Sequence, residues 1–172
     1  MIYIGIDNGL HGGMVALNDD GKIIAKAIMP IYPKKKVKGE RQFVVERDLC
    51  KWLKKLKAQG PCKVCLERPT FSQSATAAVS MHDSFGTTRT VIKLLGMALI
   101  EVDPKHWQAC FWKKPKNSNE IGWTTKNQAL RTVNNNWLNI NWLNPDKPKS
   151  RTPHDGMIDA CLIAEYRRRF YE

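Results

Sequence analysis

The sequence predicts an α/β domain: an antiparallel meander of three strands at the N-terminus, then a half in which helices alternate with strands. Three observations carry this expectation. Ile2, Tyr3, Ile4 and Ile6 form an almost unbroken run of β-formers, the pattern of a central strand buried on both faces. Two further apolar runs, residues 14–17 and 22–29, follow across turns rich in Gly and Asn, as in a hairpin. From residue 42 onward, segments of helical periodicity alternate with short apolar runs, which is the βαβ pattern.

At 172 residues the chain has the length of a single domain with a substantial core. Lys and Arg number 28 against 16 Asp and Glu, a formal charge of +12. Such an excess favours a polyanionic partner, nucleic acid above all, over a merely solvated basic surface. Asp7 interrupts the first apolar run before a secretory h-region can form. The longest apolar stretch, residues 94–100, is far shorter than the ~20 residues that cross a bilayer. The expectation is a soluble, cytoplasmic protein, of a bacterium or of an infected host cell. The five cysteines show no framework spacing, and Cys62 and Cys65 sit three apart in an expected strand, on opposite faces, which argues against a shared zinc.

Taken in order, the first strand ends on Asp7 in the turn Asn8-Gly9. A bare carboxylate there needs either turn donors or a metal ion as compensation. Residues 30–41 form an exposed basic loop carrying Lys34, Lys35, Lys36, Lys38 and Arg41, either solvated or in contact with phosphates. Residues 42–59 read as an amphipathic helix through Val45, Leu49, Trp52, Leu53 and Leu56, closed by Gly60-Pro61. Residues 62–66 are a short buried strand ending on Glu67, just before the breaker Arg68-Pro69.

Residues 72–84 suggest a short helix and residues 85–95 a better one, capped by Gly96. A strand at 97–102 leads to a helix opened by Asp103-Pro104, with Trp107, Cys110 and Phe111 along one side. Residues 112–123 read as a loop. A helix then starts at Thr124-Thr125, contains Lys126 and ends in the asparagine run 134–136. Residues 137–153 show no assignable pattern. In the last helix Asp155 and Asp159, four apart, share a face. The helix N-terminus alone explains Asp155, whereas Asp159 lies among Ile158, Ala160 and Cys161 and is expected to point inward. The six tryptophans are assigned to the core first, with interfaces and base stacking as the other roles.

Asp7, Glu67, Asp155 and Asp159 together suit hard divalent cations, because Mg²⁺ takes oxygen ligands and leaves sites for phosphate and water. Two ions ~4 Å apart can activate an attacking water and stabilise the leaving oxygen of a phosphodiester. Acids clustered inside a strongly basic protein make sense if metals neutralise the acids and DNA neutralises the rest.

The order of Gly5-Ile6-Asp7-Asn8-Gly9 before a hairpin, a strand ending in Glu67, and a late helix with Asp155-Gly156-Met157-Ile158-Asp159 resembles the RuvC family of Holliday junction resolvases, within the ribonuclease H-like superfamily. The resemblance spans essentially the whole chain, 1–172, as one RuvC-like nuclease domain, and is nearest to phage or viral members. It implies a ribonuclease H-like fold with a central five-stranded mixed sheet flanked by helices, a homodimer, and Mg²⁺- or Mn²⁺-dependent cleavage of four-way or other branched DNA. Asp7, Glu67 and Asp159 match the first-strand, mid-sheet and last helical acids. The fourth acid of many members falls on Gly156 here, with Asp155 as substitute and His154 as the weaker choice. Asn8 replaces a frequent Pro, a change expected to matter little. The position of the family's aromatic wedge falls on Thr70, with Phe71 one further on. Lys126 resembles a basic residue near the family's active site and also reads as a solvated helix-end lysine. The expected DNA contacts are Lys34, Lys35, Lys36, Lys38, Arg68, Phe71 and Lys126.

Three rival functions fit parts of the pattern. An actin- or sugar-kinase-type ATP enzyme also opens on Asp and a Gly-rich hairpin but needs a larger two-lobed body. A catalytically silent DNA-binding or architectural module would keep the fold without the metals, and a general metal-dependent nuclease would cut linear duplex equally well.

Overall fold

In a computed structural model of the protein, described for residues 1–33, 42–70, 74–115, 123–147 and 149–171, the predicted meander and βαβ half join in one sheet. Strands β1 (Ile2–Asp7), β2 (Gly13–Leu17) and β3 (Ile23–Ile28) are followed by a small ribbon of β4 (Ile31–Tyr32) and β5 (Phe43–Val44). Then come α1 (Glu46–Lys57), β6 (Cys62–Glu67), α2 (Ala75–Leu94), β7 (Ala98–Val102), α3 (Pro104–Ala109), α4 (Thr125–Asn136) and α5 (Asp155–Phe170). The main sheet has five strands in the order β3-β2-β1-β6-β7. β1 pairs antiparallel with β2 and parallel with β6. This is the five-stranded mixed sheet flanked by helices that the sequence implies.

β1 is central because its residues are apolar on both faces. Ile2, Ile4 and Ile6 pack with Val64, Leu66, Leu49, Leu53, Leu56 and Ile92 under α1 and α2. The opposite face belongs to α5, which comes so close that a Cβ on Gly5 would stand 2.1 Å from the Ala160 carbonyl oxygen and 2.3 Å from the Ala164 nitrogen. Period-two alternation then puts Asp7 on the α5 face with Gly5. The register Ile6↔Leu66 sets Glu67 beside Asp7, on the same face.

Local chemistry explains where the elements depart from expectation. The helix expected from residue 42 starts at Glu46, because Phe43 and Val44 pair with Tyr32 and Ile31 and Val45 N–H donates to the Pro30 carbonyl at 2.7 Å. The two helices expected over 72–95 are one of 20 residues, N-capped by Ser74. Its polar first half is held to the sheet by Ser84, whose hydroxyl donates to the Asn8 carbonyl. The helix from Thr125 ends in the asparagine run, as expected. Residues 137–147, without a pattern in sequence, are anchored by buried Trp142, by Trp137 Nε1 donating to the Gly21 carbonyl at 2.7 Å and by Lys26 Nζ on the Asn141 carbonyl at 2.7 Å. Trp107 and Trp142 are core residues, as expected of tryptophans first. Cys62 and Cys65 lie in the packing layers on opposite faces of the sheet, and all five cysteines are free thiols. Among the described residues no helix is long and apolar enough to cross a membrane.

Candidate active site

Three elements bring three carboxylates to one end of the sheet: Asp7 closes β1, Glu67 closes β6, and Asp159 sits in the second turn of α5. Their mutual influence shows in their acidities. Burial, the dominant cause, and the Asp155 charge raise Asp7 to about 6 against a donated bond from Gly9 N–H, 3.1 Å from Oδ1. Burial, then Asp7 and Asp155, raise Asp159 to about 7, with Lys126 opposing. Burial, then Asp7 and Asp159, raise Glu67 to about 8, opposed by its bond from Trp107. Three acids that disfavour one another's ionisation form a site short of positive charge.

The sign of the consequence is fixed. Each folded-state value lies above the ordinary 3.8 or 4.5, so the metal-free native state holds more protons than the unfolded chain from about pH 4 to about pH 8. These three groups therefore lower stability as pH rises through that window. Melts in EDTA should show a higher Tm near pH 5 than near pH 8 from this cluster, and the Asp7→Asn variant should show a smaller difference. Equal slopes for the two proteins would refute the coupling.

Asp155 is the first residue of α5, is about half exposed, and pairs through Oδ2 with Lys126 Nζ at 2.6 Å. Packing explains why the acid is here and not at 156. A Cβ on Gly156 would stand 2.5 Å from the Gly12 Cα and 2.5 Å from the His11 carbonyl oxygen. Only glycine lets the helix N-terminus rest on the loop after Asp7, so an acid at 156 would part the two elements that carry Asp7 and Asp159. His154, the weaker alternative, is occupied otherwise: its Nδ1 accepts from Met157 N–H at 3.2 Å as the N-cap of α5.

The expected DNA contacts are more scattered. Lys126 flanks the acids through Asp155. Arg68, about half exposed, lies 3.5 Å from Glu101 and 3.7 Å from Asp103, beside an Arg89–Glu101 pair at 2.7 Å. Lys34, Lys35, Lys36, Lys38 and Phe71 lie outside the described residues.

Two site residues escape the sequence reading. Trp107, fully buried in α3, donates Nε1–H to Glu67 Oε2 at 2.6 Å. The signal was available, since a buried indole needs an acceptor and Glu67 precedes it in the βαβ order. Asn8, 4 % exposed, donates its side-chain amide to the Glu67 backbone carbonyl, bridging the ends of β1 and β6. It does more than its replacement of a frequent Pro suggested.

The donor set suits a hard divalent cation: all oxygen, partly buried, and raised in pKa first by burial and then by neighbouring carboxylates, both of which a cation would offset. Among the described residues no three His, Cys, Asp or Glu side chains converge as they stand closely enough to hold an ion. Glu67 is engaged by Trp107 and Asp155 by Lys126.

No protein-family model and no curated protein matches the sequence. Solved structures do. A Thermus thermophilus RuvC in complex with Holliday junction substrate matches with a TM-score of 0.64 at 14% identity, covering 99% of this chain and 97% of that one. A second Thermus thermophilus RuvC structure matches with a TM-score of 0.60 at 15% identity, over 98% and 96% of the two chains. From end to end, the chain has the fold of RuvC.

Proposed function

We propose that the chain is a structure-selective, metal-dependent endonuclease of the RuvC type: a single nuclease domain over residues 1–172, acting in the cytoplasm as a homodimer on four-way junctions or other branched DNA. The observation that carries this reading is the meeting of Asp7, Glu67 and Asp159 at one sheet end in a protein of net charge +12. The substrate class comes from the RuvC relative, which was solved with a Holliday junction.

Asp7 is the central ligand, aimed by the strand and by Gly9 N–H. Glu67 and Asp159 complete the buried set, and Asp155 closes its rim. Trp107 takes one lone pair of Glu67 and holds that carboxylate in place. Lys126 holds Asp155, which would leave that pair to serve as a ligand. Two bound Mg²⁺ or Mn²⁺ ions would supply Lewis-acid activation of water and neutralise charge on the leaving oxygen. The basic surface holds the polyanion around the acids.

A catalytically silent DNA-binding module is the second reading, favoured by the engagement of Glu67 and Asp155 with protein partners. Labelled four-way, flap and linear duplex DNA incubated with Mg²⁺, Mn²⁺ or EDTA separates the readings. Cleavage of branched DNA that requires a divalent ion is the expected result. Binding without cleavage under every condition would establish the silent module, and equal cutting of linear duplex would make the chain a general nuclease. Either ion should also raise Tm more near pH 8 than near pH 5, since only the ionised acids bind it. An equal rise at both would place the ion elsewhere.

A further inference from the structure

The ribbon of β4 and β5 leaves the sheet at the end where the acids lie. Asp7 pairs with Gly13 and Gly13 with Ile28, so the chain beyond Ile28 runs past the row that contains Asp7. Tyr32 comes four residues later, at most ~13 Å beyond that row. Alternation sorts the ribbon's side chains: Val44 is buried at 3 % exposure and Ile31 packs against the core, whereas Tyr32 and Phe43 point outward. The two are cross-strand partners with ring centroids 5.8 Å apart, and they remain 60 % and 50 % exposed.

Cross-strand pairing stabilises so short a ribbon, but it explains the contact between the rings and not the open aromatic surface on either side. The ribbon is already secured by Gln42 Nε2 donating to the Pro33 carbonyl at 2.8 Å and by Val45 N–H on the Pro30 carbonyl. Phe43 also walls a cleft of about 390 Å³ with His82, Ser84 and Gly86 of α2. Ser84 bonds to the carbonyl of Asn8, the residue after Asp7, so the cleft backs onto the loop of the candidate active site. In sequence, the ten residues 33–42 between the rings carry four lysines and one arginine against one glutamate.

We infer that Tyr32 and Phe43 form a stacking platform for unpaired nucleobases, holding the opened strand of branched DNA at the end of the sheet where the acids lie. The inference rests on DNA being the partner. Aromatic faces accept any base, so the platform selects for unstacked strands and not for sequence.

Binding in EDTA, where no strand is cut, tests it by fluorescence anisotropy with a labelled single strand, a four-way junction with unpaired central bases, and a blunt duplex. Tyr32→Ala and Phe43→Ala should each weaken single-strand binding by roughly 10-fold, reduce junction binding, and leave duplex binding unchanged. Tyr32→Trp and Phe43→Trp should bind as the wild type, whereas the Leu variants, which keep the apolar cross-strand contact, should resemble Ala. Leu variants that bind single strands normally would overturn the platform and leave the rings as a ribbon brace. Loss of a homodimer in the Ala variants would also overturn it, assigning the face to a second copy. A wild-type protein that binds none of the three DNAs would overturn the reading of DNA as the partner as well.

Discussion

Asp7→Asn should abolish cleavage and at the same time make the metal-free protein more stable. The substitution keeps shape and volume, and the amide oxygen still accepts from Gly9 N–H. What disappears is a charge that burial and Asp155 already disfavour, raising its pKa to about 6. From about pH 4 the unfolded chain's carboxylate ionises while the folded one resists until about pH 6, a cost that the neutral amide does not bear, so the variant's advantage should grow from about pH 4, be roughly half complete near pH 5 and full near pH 8. The catalytic loss runs the other way. A metal contributes several kcal/mol of transition-state stabilisation, and each 1.36 kcal/mol is tenfold, so losing the central ligand should lower the cleavage rate by roughly a thousand-fold or more. Single-turnover cleavage of a labelled junction and melts in EDTA measure the two halves. A variant that is equally inactive but less stable would mean that Asp7 supports the fold, and residual cleavage near the wild-type rate would remove it from the site.

Gly5→Val should cost the fold itself. The Cβ alone would stand 2.1 and 2.3 Å from backbone atoms of α5, and backbone cannot turn aside as a flexible side chain can. The helix must lift off the central strand, opening the packing of Ala160, Cys161 and Ala164 and separating Asp159 from Asp7. Overpacking typically costs 1–3 kcal/mol, and a clash of this depth should reach about 4 kcal/mol or more. For a chain of this size that is a fall in Tm of roughly 8–16 °C, or insoluble protein. Gly86→Ala is the control, since nothing lies within 4 Å of a Cβ there and α2 should gain slightly from the helix propensity of Ala. Gly5→Val melting like the wild type would contradict the close approach of α5 to β1.

What could be read in the sequence was whatever one segment's own pattern dictates. The both-faces apolar run of β1, the strand closing on Glu67 and the inward Asp159 are local signals, and all three acids arrive at one sheet end. Pairing across distance was harder to read. Nothing in residues 42–45 announces the pairing of Phe43 with Tyr32, because a two-residue strand has no periodicity to detect. The first half of α2 looked like a poor, separate helix because it is small and polar, and one of those polar residues, Ser84, is used to bond to the Asn8 carbonyl. The position of the fourth acid was legible only as an offset from a family pattern. Its reason, the contact of Gly156 with Gly12, is a property of two backbones that no single segment displays.

The placement of Asp7 and Glu67 at the ends of neighbouring parallel strands makes the sheet the ruler of the site. Their spacing is set by the interstrand repeat of ~4.8 Å and by the Asn8 bridge, not by a loop that could breathe. Local opening events, which usually begin at fraying ends and exposed loops, cannot pull these two acids apart without breaking the β1–β6 ladder at the centre of the domain. The two carboxylates therefore keep their spacing whether or not the proposed cations are bound. What an ion at the proposed site would require is side-chain adjustment, the release of Glu67 from Trp107 and of Asp155 from Lys126, and not reassembly of the sheet.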